Sequence, residues 1–271
     1  LLQGSGFRWV ASGQQVLHNS LVAHREGELP ANWMHRPYRV NDTDFCAFFR
    51  DDGLSDLIGF TYSDWHADDA VGNFIQHLEA IAEHAAETGD RVVSVILDGE
   101  NAWEYYPNNG SYFLSALYER LADHPHLELT TFSSYLGHSP CVEESLPAVV
   151  TGSWVYGTLT TWIGDRDKNR AWDMLVDAKI VYDRVIESGR LDDEARDLAE
   201  QQLAVCEGSD WFWWFGDYNP GETVSDFESL FRRQLQVLYR LLGEEPPFYL
   251  TEVFARGTGK PQKGGVMRQA S

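Results

Sequence analysis

Val92-Val93-Ser94-Val95-Ile96-Leu97-Asp98-Gly99-Glu100-Asn101-Ala102-Trp103-Glu104-Tyr105-Tyr106 is the stretch on which the reading of the fold turns. Apart from Ser94 its first six residues are aliphatic, and most are β-branched. That pattern predicts a strand buried on both faces, of the kind found in parallel sheets covered by helices. Polar residues then arrive abruptly: Asp98, Glu100 and Glu104 surround a glycine turn, with Trp103, Tyr105 and Tyr106 among them. In barrels and open α/β sheets that end of a strand is where ligands bind. Asp98 and Glu100 are two residues apart, so they project to the same side for as long as the chain stays extended. Carboxylates among flat aromatic faces suit a sugar, whose C–H faces stack on indole while its hydroxyls need acceptors. An acidic strand-to-loop turn with core aromatics is the bland alternative, since loops favour Asp, Gly and Asn.

Upstream of this stretch, Phe7 to Ala11 and Phe45 to Arg50 read as strands, Gln14 to Leu21 as a helical turn, and Leu54 to Tyr62 as a further buried strand. Ala67 to Thr88 carries Ala70, Val71, Phe74, Ile75, Leu78, Ile81 and Ala82 at helical spacing. A helix there suits a crossover into a parallel strand ending at Asp98. Downstream, a helix opens at Asn109 or Ser111 and stops at Pro125, and Leu127 to Phe132 reads as a strand. Alternating strands and helices to about residue 135 predict an α/β fold. Beyond it, residues 167–187, 191–206 and 225–242 are helical patterns, and 256–271 is a polar tail.

The 271 residues suit one large domain or two smaller ones. A net charge of -21 argues against nucleic acid and anionic membrane as partners, while a neutral glucan is not repelled. No apolar run is long enough to span a bilayer. Cys46, Cys141 and Cys206 lie far apart, with no readable disulfide framework or zinc spacing, so a reducing, cytoplasmic setting is the expectation. His18, His24 and His35 lack the spacing of a metal site, and no cofactor is expected. A Ca²⁺ ion held by Asp98, Glu100 and Glu104 is a weaker reading, because no EF-hand spacing is present.

Several further motifs stand in order along the chain. Phe49-Arg50-Asp51 is followed by Leu54-Ser55-Asp56-Leu57-Ile58-Gly59-Phe60, then by Asp98-Gly99-Glu100-Asn101-Ala102-Trp103-Glu104. Gly152-Ser153-Trp154, Trp162-Ile163-Gly164, Asn169-Arg170-Ala171-Trp172 and Gly208-Ser209-Asp210-Trp211-Phe212-Trp213-Trp214 come after. Together they resemble glycoside hydrolase family 57, the α-amylase, glucanotransferase and branching-enzyme group, from about Gly6 to Leu250. The resemblance implies the C-terminal part of an incomplete (β/α)7 barrel followed by a mainly helical region. Residues 1–138 would form the partial barrel, 139–255 the helical domain and 256–271 a flexible tail.

It also implies a retaining mechanism on α-glucosidic bonds, with a Glu nucleophile and an Asp acid/base that matches Asp98. The family's nucleophile belongs to a Trp-Pro-x-Glu type segment ahead of the strand that here reads Gly6-Phe7-Arg8-Trp9, so the expectation places it upstream of Leu1. Gly13-Gln14 departs from relatives that commonly carry acidic residues there. Glu100, Trp103, Trp154, Trp162 and Trp65 are the candidate substrate-binding residues. Trp211, Trp213 and Trp214 read first as core. The expected partner is an oligo- or polysaccharide. A carbohydrate-binding homologue without turnover is the reading from a different class.

Overall fold

The computed structural model describes residues 1–24, 26–29, 33–41, 43–85, 91–99, 103–138 and 145–259. The described residues divide into two compact units, Leu1–Leu159 and 160–259.

The first unit is α/β. Strand β1 (Trp9–Ser12) leads into helix α1 (Gln14–His24), followed by β2 (Tyr38–Val40) and β3 (Cys46–Phe49). A short α2 (Asp52–Asp56) runs directly into a π-helical turn over Leu57–Thr61. Helices α3 (Ala67–Ala85), α4 (Ser111–Ala122) and α5 (Phe132–His138) follow, and β4 (Ser145–Leu146) closes the element order of this unit. The sheet is mixed, in the order β1-β3-β2-β4. β1 runs parallel to β3 in the register Trp9↔Cys46 to Ser12↔Phe49, β2 is antiparallel to β3, and β4 is parallel to β2.

All four residues of β3 are buried, because the strand is covered on both faces. Ala47 and Phe49 pack with Val16, Leu17 and Leu21 of α1 on one side. Cys46 and Phe48 pack with Val92 and Phe132 on the other, where the Phe48 and Phe132 rings stack at 4.3 Å. The period of two along a strand divides these four side chains between two layers.

Three expected strands are corrected. Leu54–Tyr62 is helical, since Asp51 caps α2 by accepting a hydrogen bond from the Leu54 N–H and so starts a helix just where the apolar run begins. A short apolar run is compatible with either structure, and here the cap decides. The run 92–97 forms no strand: it makes one parallel bridge, Arg50↔Ser94, and Val95 is 37% exposed. Its polar backbone groups are met piecemeal: the Val92 N–H donates to the His35 carbonyl, the Ser94 carbonyl accepts from the Asp51 N–H, the Ile96 N–H donates to the Ser55 hydroxyl, and the Ile96 carbonyl accepts from Arg50. A ladder is therefore not needed to satisfy it. Leu127–Phe132 is likewise not a strand, and α5 begins at Phe132. The strand buried on both faces is β3, not the run ending at Asp98. A second correction concerns sulfur: Cys46 is disulfide-bonded, while Cys206 keeps a buried thiol pushed up to about 12 by burial. Wide separation along the chain says nothing about proximity in space.

The second unit is helical. Helices α6 (Arg166–Glu187), α7 (Asp193–Cys206), α8 (Asp210–Trp214) and α9 (Gly221–Leu241) enclose a core that includes Met174, Leu203, Phe212, Phe231 and Leu235. Trp213 is buried, Trp211 packs against Phe227 and Phe231, and Trp172 stacks on Phe212 at 3.7 Å. The fully buried Lys168 donates through Nζ to the carbonyls of Phe212 and Trp213, so a charge is satisfied by the tryptophan-rich turn itself. Residues at the start of the expected tail are docked, with the Thr258 N–H on the Asp217 carbonyl and the Gly259 N–H on that of Asn219. Among the described residues no helix is long and apolar enough to cross a membrane.

Candidate active site

A cavity of about 260 Å³ opens in the first unit. Its wall takes Ala11 and Ser12 from the end of β1, Arg50 from the residue after β3, and Gly59 and Phe60 from the π-helical turn. Ile96, Leu97 and Asp98 come from the extended run, and Ser153 and Trp154 from the loop after β4. Ligand pockets for drug-sized molecules begin near 300 Å³. This one is the size of a ring rather than of a chain.

Arg50 organises the wall. It is 5% exposed and uses its donors in three directions. Nε donates to the Ile96 carbonyl at 2.9 Å, Nη1 to Asp52 at 2.8 Å and Nη2 to Asp56 at 2.7 Å. The guanidinium carbon also lies 5.3 Å from the centroid of the Trp154 ring. One fork thus fixes the run that carries Asp98, both ends of α2 and the indole. Burial pushes the Asp52 carboxyl above the ordinary carboxylate range, and the hydrogen bond and charge of Arg50 counter this only in part.

Asp51 fixes the same corner from behind. Its N–H donates to the Ser94 carbonyl at 2.8 Å, Oδ1 accepts from Leu54 and Oδ2 lies 2.7 Å from His35 Nε2. Burial works to raise its pKa. The bonds from His35 and Leu54 and the charges of His35 and Arg50 outweigh burial, leaving the group below the ordinary range. His35 has a positive φ of 60°, a conformation uncommon for a residue with a Cβ. Its carbonyl accepts from the Val92 N–H at 2.9 Å, so both ends of the residue are tied down. Gln14, the departure noted in the sequence, accepts the Asp52 N–H at 3.1 Å through its amide oxygen. An amide there does the accepting without adding a further negative charge beside Asp51, Asp52 and Asp56.

Asp51→Ala removes the cap of α2 and is expected to cost about 1–2 kcal/mol in denaturant unfolding at pH 7. Because the folded pKa of Asp51 is depressed, its contribution is present above the unfolded carboxylate range and is lost as pH falls through the folded value. Unfolding measured from pH 7 down to pH 3 should therefore show a smaller acid loss in the alanine variant than in the parent chain.

Trp154 is seated by close backbone approach. A Cβ at Gly13 would lie 2.5 Å from the Trp154 Cα, so only glycine lets the loop reach the start of α1. The Ser153 hydroxyl donates to the Thr158 carbonyl at 2.8 Å and accepts from the Val155 N–H at 3.1 Å, closing the turn behind the indole.

Of the residues singled out in the sequence, the cavity brings together Asp98 and Trp154. Asp98 is half-buried. Trp103 is not among the lining residues. Its ring sits against the position a Gly110 Cβ would take and packs with Tyr106 and Phe113 in the cluster between α3 and α4. Trp65 is 43% exposed, with its ring edge-on to Tyr62 at 5.4 Å. Trp162 belongs to the second unit, where its ring lies 5.7 Å from that of Trp213 and its carbonyl accepts from Trp172 Nε1. Glu100 lies outside the described residues. Among the described residues no group of three or more His, Cys, Asp or Glu side chains is arranged to hold a metal ion. Sequence reasoning missed Arg50, Gly59 and Phe60 as site residues. The available signal was an arginine directly after an apolar strand and before three aspartates, since a buried arginine needs carboxylates within reach.

The sequence model of Glycosyl hydrolase family 57 matches residues 1–146, a span that includes Asp98 and ends at β4, ahead of Trp154. The chain belongs to glycoside hydrolase family 57. Several solved structures share its fold. A GH57 branching enzyme from the hyperthermophilic archaeon Thermococcus kodakaraensis aligns with TM-score 0.67 and 14% identity over 89% of this chain and 52% of its own. A GH57-type branching enzyme from Pyrococcus horikoshii gives 0.64 and 15% over 100% and 60%, and an alpha-amylase from Thermotoga maritima 0.64 and 14% over 89% and 56%. This family 57 chain thus spans between half and three-fifths of the length of these relatives. No curated protein matches it.

Proposed function

We propose that this family 57 chain acts on α-glucans as a glycoside hydrolase or glucanotransferase, with Asp98 as the general acid/base of a retaining mechanism. The observation that carries the reading is the sharing of one small, largely apolar cavity by Asp98 and Trp154, with a charge-paired Arg50 behind the indole. In a retaining reaction one carboxyl group protonates the leaving oxygen while a second, about 5–5.5 Å away, attacks the anomeric carbon. Asp98 is the one carboxylate among the described lining residues. The reading requires a glutamate within that distance of Asp98 as the attacking group. It takes the first unit as part of an incomplete (β/α)7 barrel, with Glu100 and Trp65 as further substrate contacts.

That single carboxylate favours a second reading: a carbohydrate-binding homologue that holds a glucan without cleaving it. Incubating the purified chain with amylose and with maltooligosaccharides separates the two. New reducing ends or a redistribution of chain lengths support the enzyme, whereas saturable binding with no product supports the binder. Trp154 serves both readings as a stacking face, and Trp154→Ala is expected to weaken maltooligosaccharide binding by about tenfold, the equivalent of roughly 1.4 kcal/mol. Calorimetric titration of parent and variant checks it.

A further inference from the structure

Gly59 is buried, yet a side chain built on it would meet no heavy atom within 4 Å. Burial with nothing in front describes a residue whose Cα faces an internal opening, and Gly59 indeed lines the cavity. Its φ is not in the left-handed region, so the backbone does not require glycine, and no neighbour approaches closely enough to exclude a methyl group. Glycine is among the poorest helix formers, and here it sits inside a helical segment. Neither local conformation nor packing accounts for it.

The segment around it is also unusual. Leu57–Thr61 is a π-helical turn, with the Tyr62 N–H reaching back to the Leu57 carbonyl. The carbonyl of Ile58, the residue just before Gly59, accepts from the phenol of Tyr106, a group whose proton burial holds more firmly than usual. π-turns of this kind occur often at functional sites. Phe60 is brought to the cavity wall by the same turn.

We infer that Gly59 sets what the cavity admits: its missing side chain is the space taken by one sugar ring of a neutral glucan, bounded by Phe60 and Trp154. Gly59 is on this account a specificity-determining residue, and the inference rests on the glucan reading given above. Large side chains at this position would exclude the ring without touching Asp98.

The test combines thermal unfolding with calorimetric titration by maltopentaose, on the 271-residue parent chain and on Gly59→Ala and Gly59→Leu. Filling open space leaves the unfolding midpoint unchanged or raised, while affinity for maltopentaose falls a few-fold for alanine and at least tenfold for leucine. A folded leucine variant that binds within twofold of the parent overturns the inference. A leucine variant that fails to fold shows that the space is not open and overturns it as well, unless the folded alanine variant shows the weakened binding. A parent chain that binds no maltopentaose defeats the glucan reading and the ligand named here with it. Even then, a raised midpoint for leucine supports the open space, and a lowered one removes it.

Discussion

Asp98→Asn is expected to reduce turnover of maltooligosaccharides by roughly 10³-fold, within the usual range for losing a positioned proton donor, while leaving thermal unfolding close to that of the parent. The amide matches the acid in shape and can still hydrogen-bond, but it cannot give up a proton to the leaving glucosyl oxygen. The loss should depend on the leaving group. An aryl glucoside whose phenolate departs without protonation should lose far less than a maltooligosaccharide in the step that forms the intermediate. The ratio kcat/KM on both substrates, which reports the step that forms the intermediate, checks this, and an equal loss on the two would remove Asp98 from the proton-donor role. Under the binding-only reading neither substrate turns over in the parent, while affinity for maltopentaose is little changed by the substitution.

Arg50→Met is the second large effect, and it acts through stability. The guanidinium is the shared partner of Asp52 and Asp56 and of the Ile96 carbonyl, and all three lose it together. Removing one side of a buried ion pair costs about 3–5 kcal/mol. The two carboxylates retain side-chain exposures of 17% and 16%, which places the expectation near 3 kcal/mol. Asp52 is already held above the ordinary range by burial, so without Arg50 it should protonate more readily, and the variant's deficit should shrink as pH falls toward 4. Denaturant unfolding at pH 7 and pH 4.5 measures both quantities. Arg50→Lys keeps a charge but not the fork, and should recover only part of the stability and little of the ordering of Trp154.

Much of the helical structure was legible because its signals are local. The apolar spacing from Ala70 to Leu78 predicts α3, and Pro125 follows shortly after α4 ends at Ala122. The three long patterns of the second half became α6, α7 and α9 within a few residues of their expected bounds. Strands were less legible. Both Cys46–Phe49 and Val92–Leu97 are short apolar runs. What separates them is whether neighbours offer a ladder, as β1 and β2 do for β3, or side chains that satisfy the backbone piecemeal, as Ser55 and Arg50 do for Ile96. The Leu54–Tyr62 run turned helical through a single capping carboxylate, Asp51.

By itself the sequence determined the α/β character of the first part, the helical character of the second, and the family. Each of these is written in spacing, in local capping or in motifs with rare residues. Tertiary structure alone decided that Asp98 and Trp154 share a cavity while Trp103 packs into a core, that Arg50 is the buried hub between them, and that Gly59 marks open space. Those are facts about which distant segments meet and what is left unfilled when they do. Chain order carries no record of a void, because a cavity is defined by atoms that several elements fail to place there.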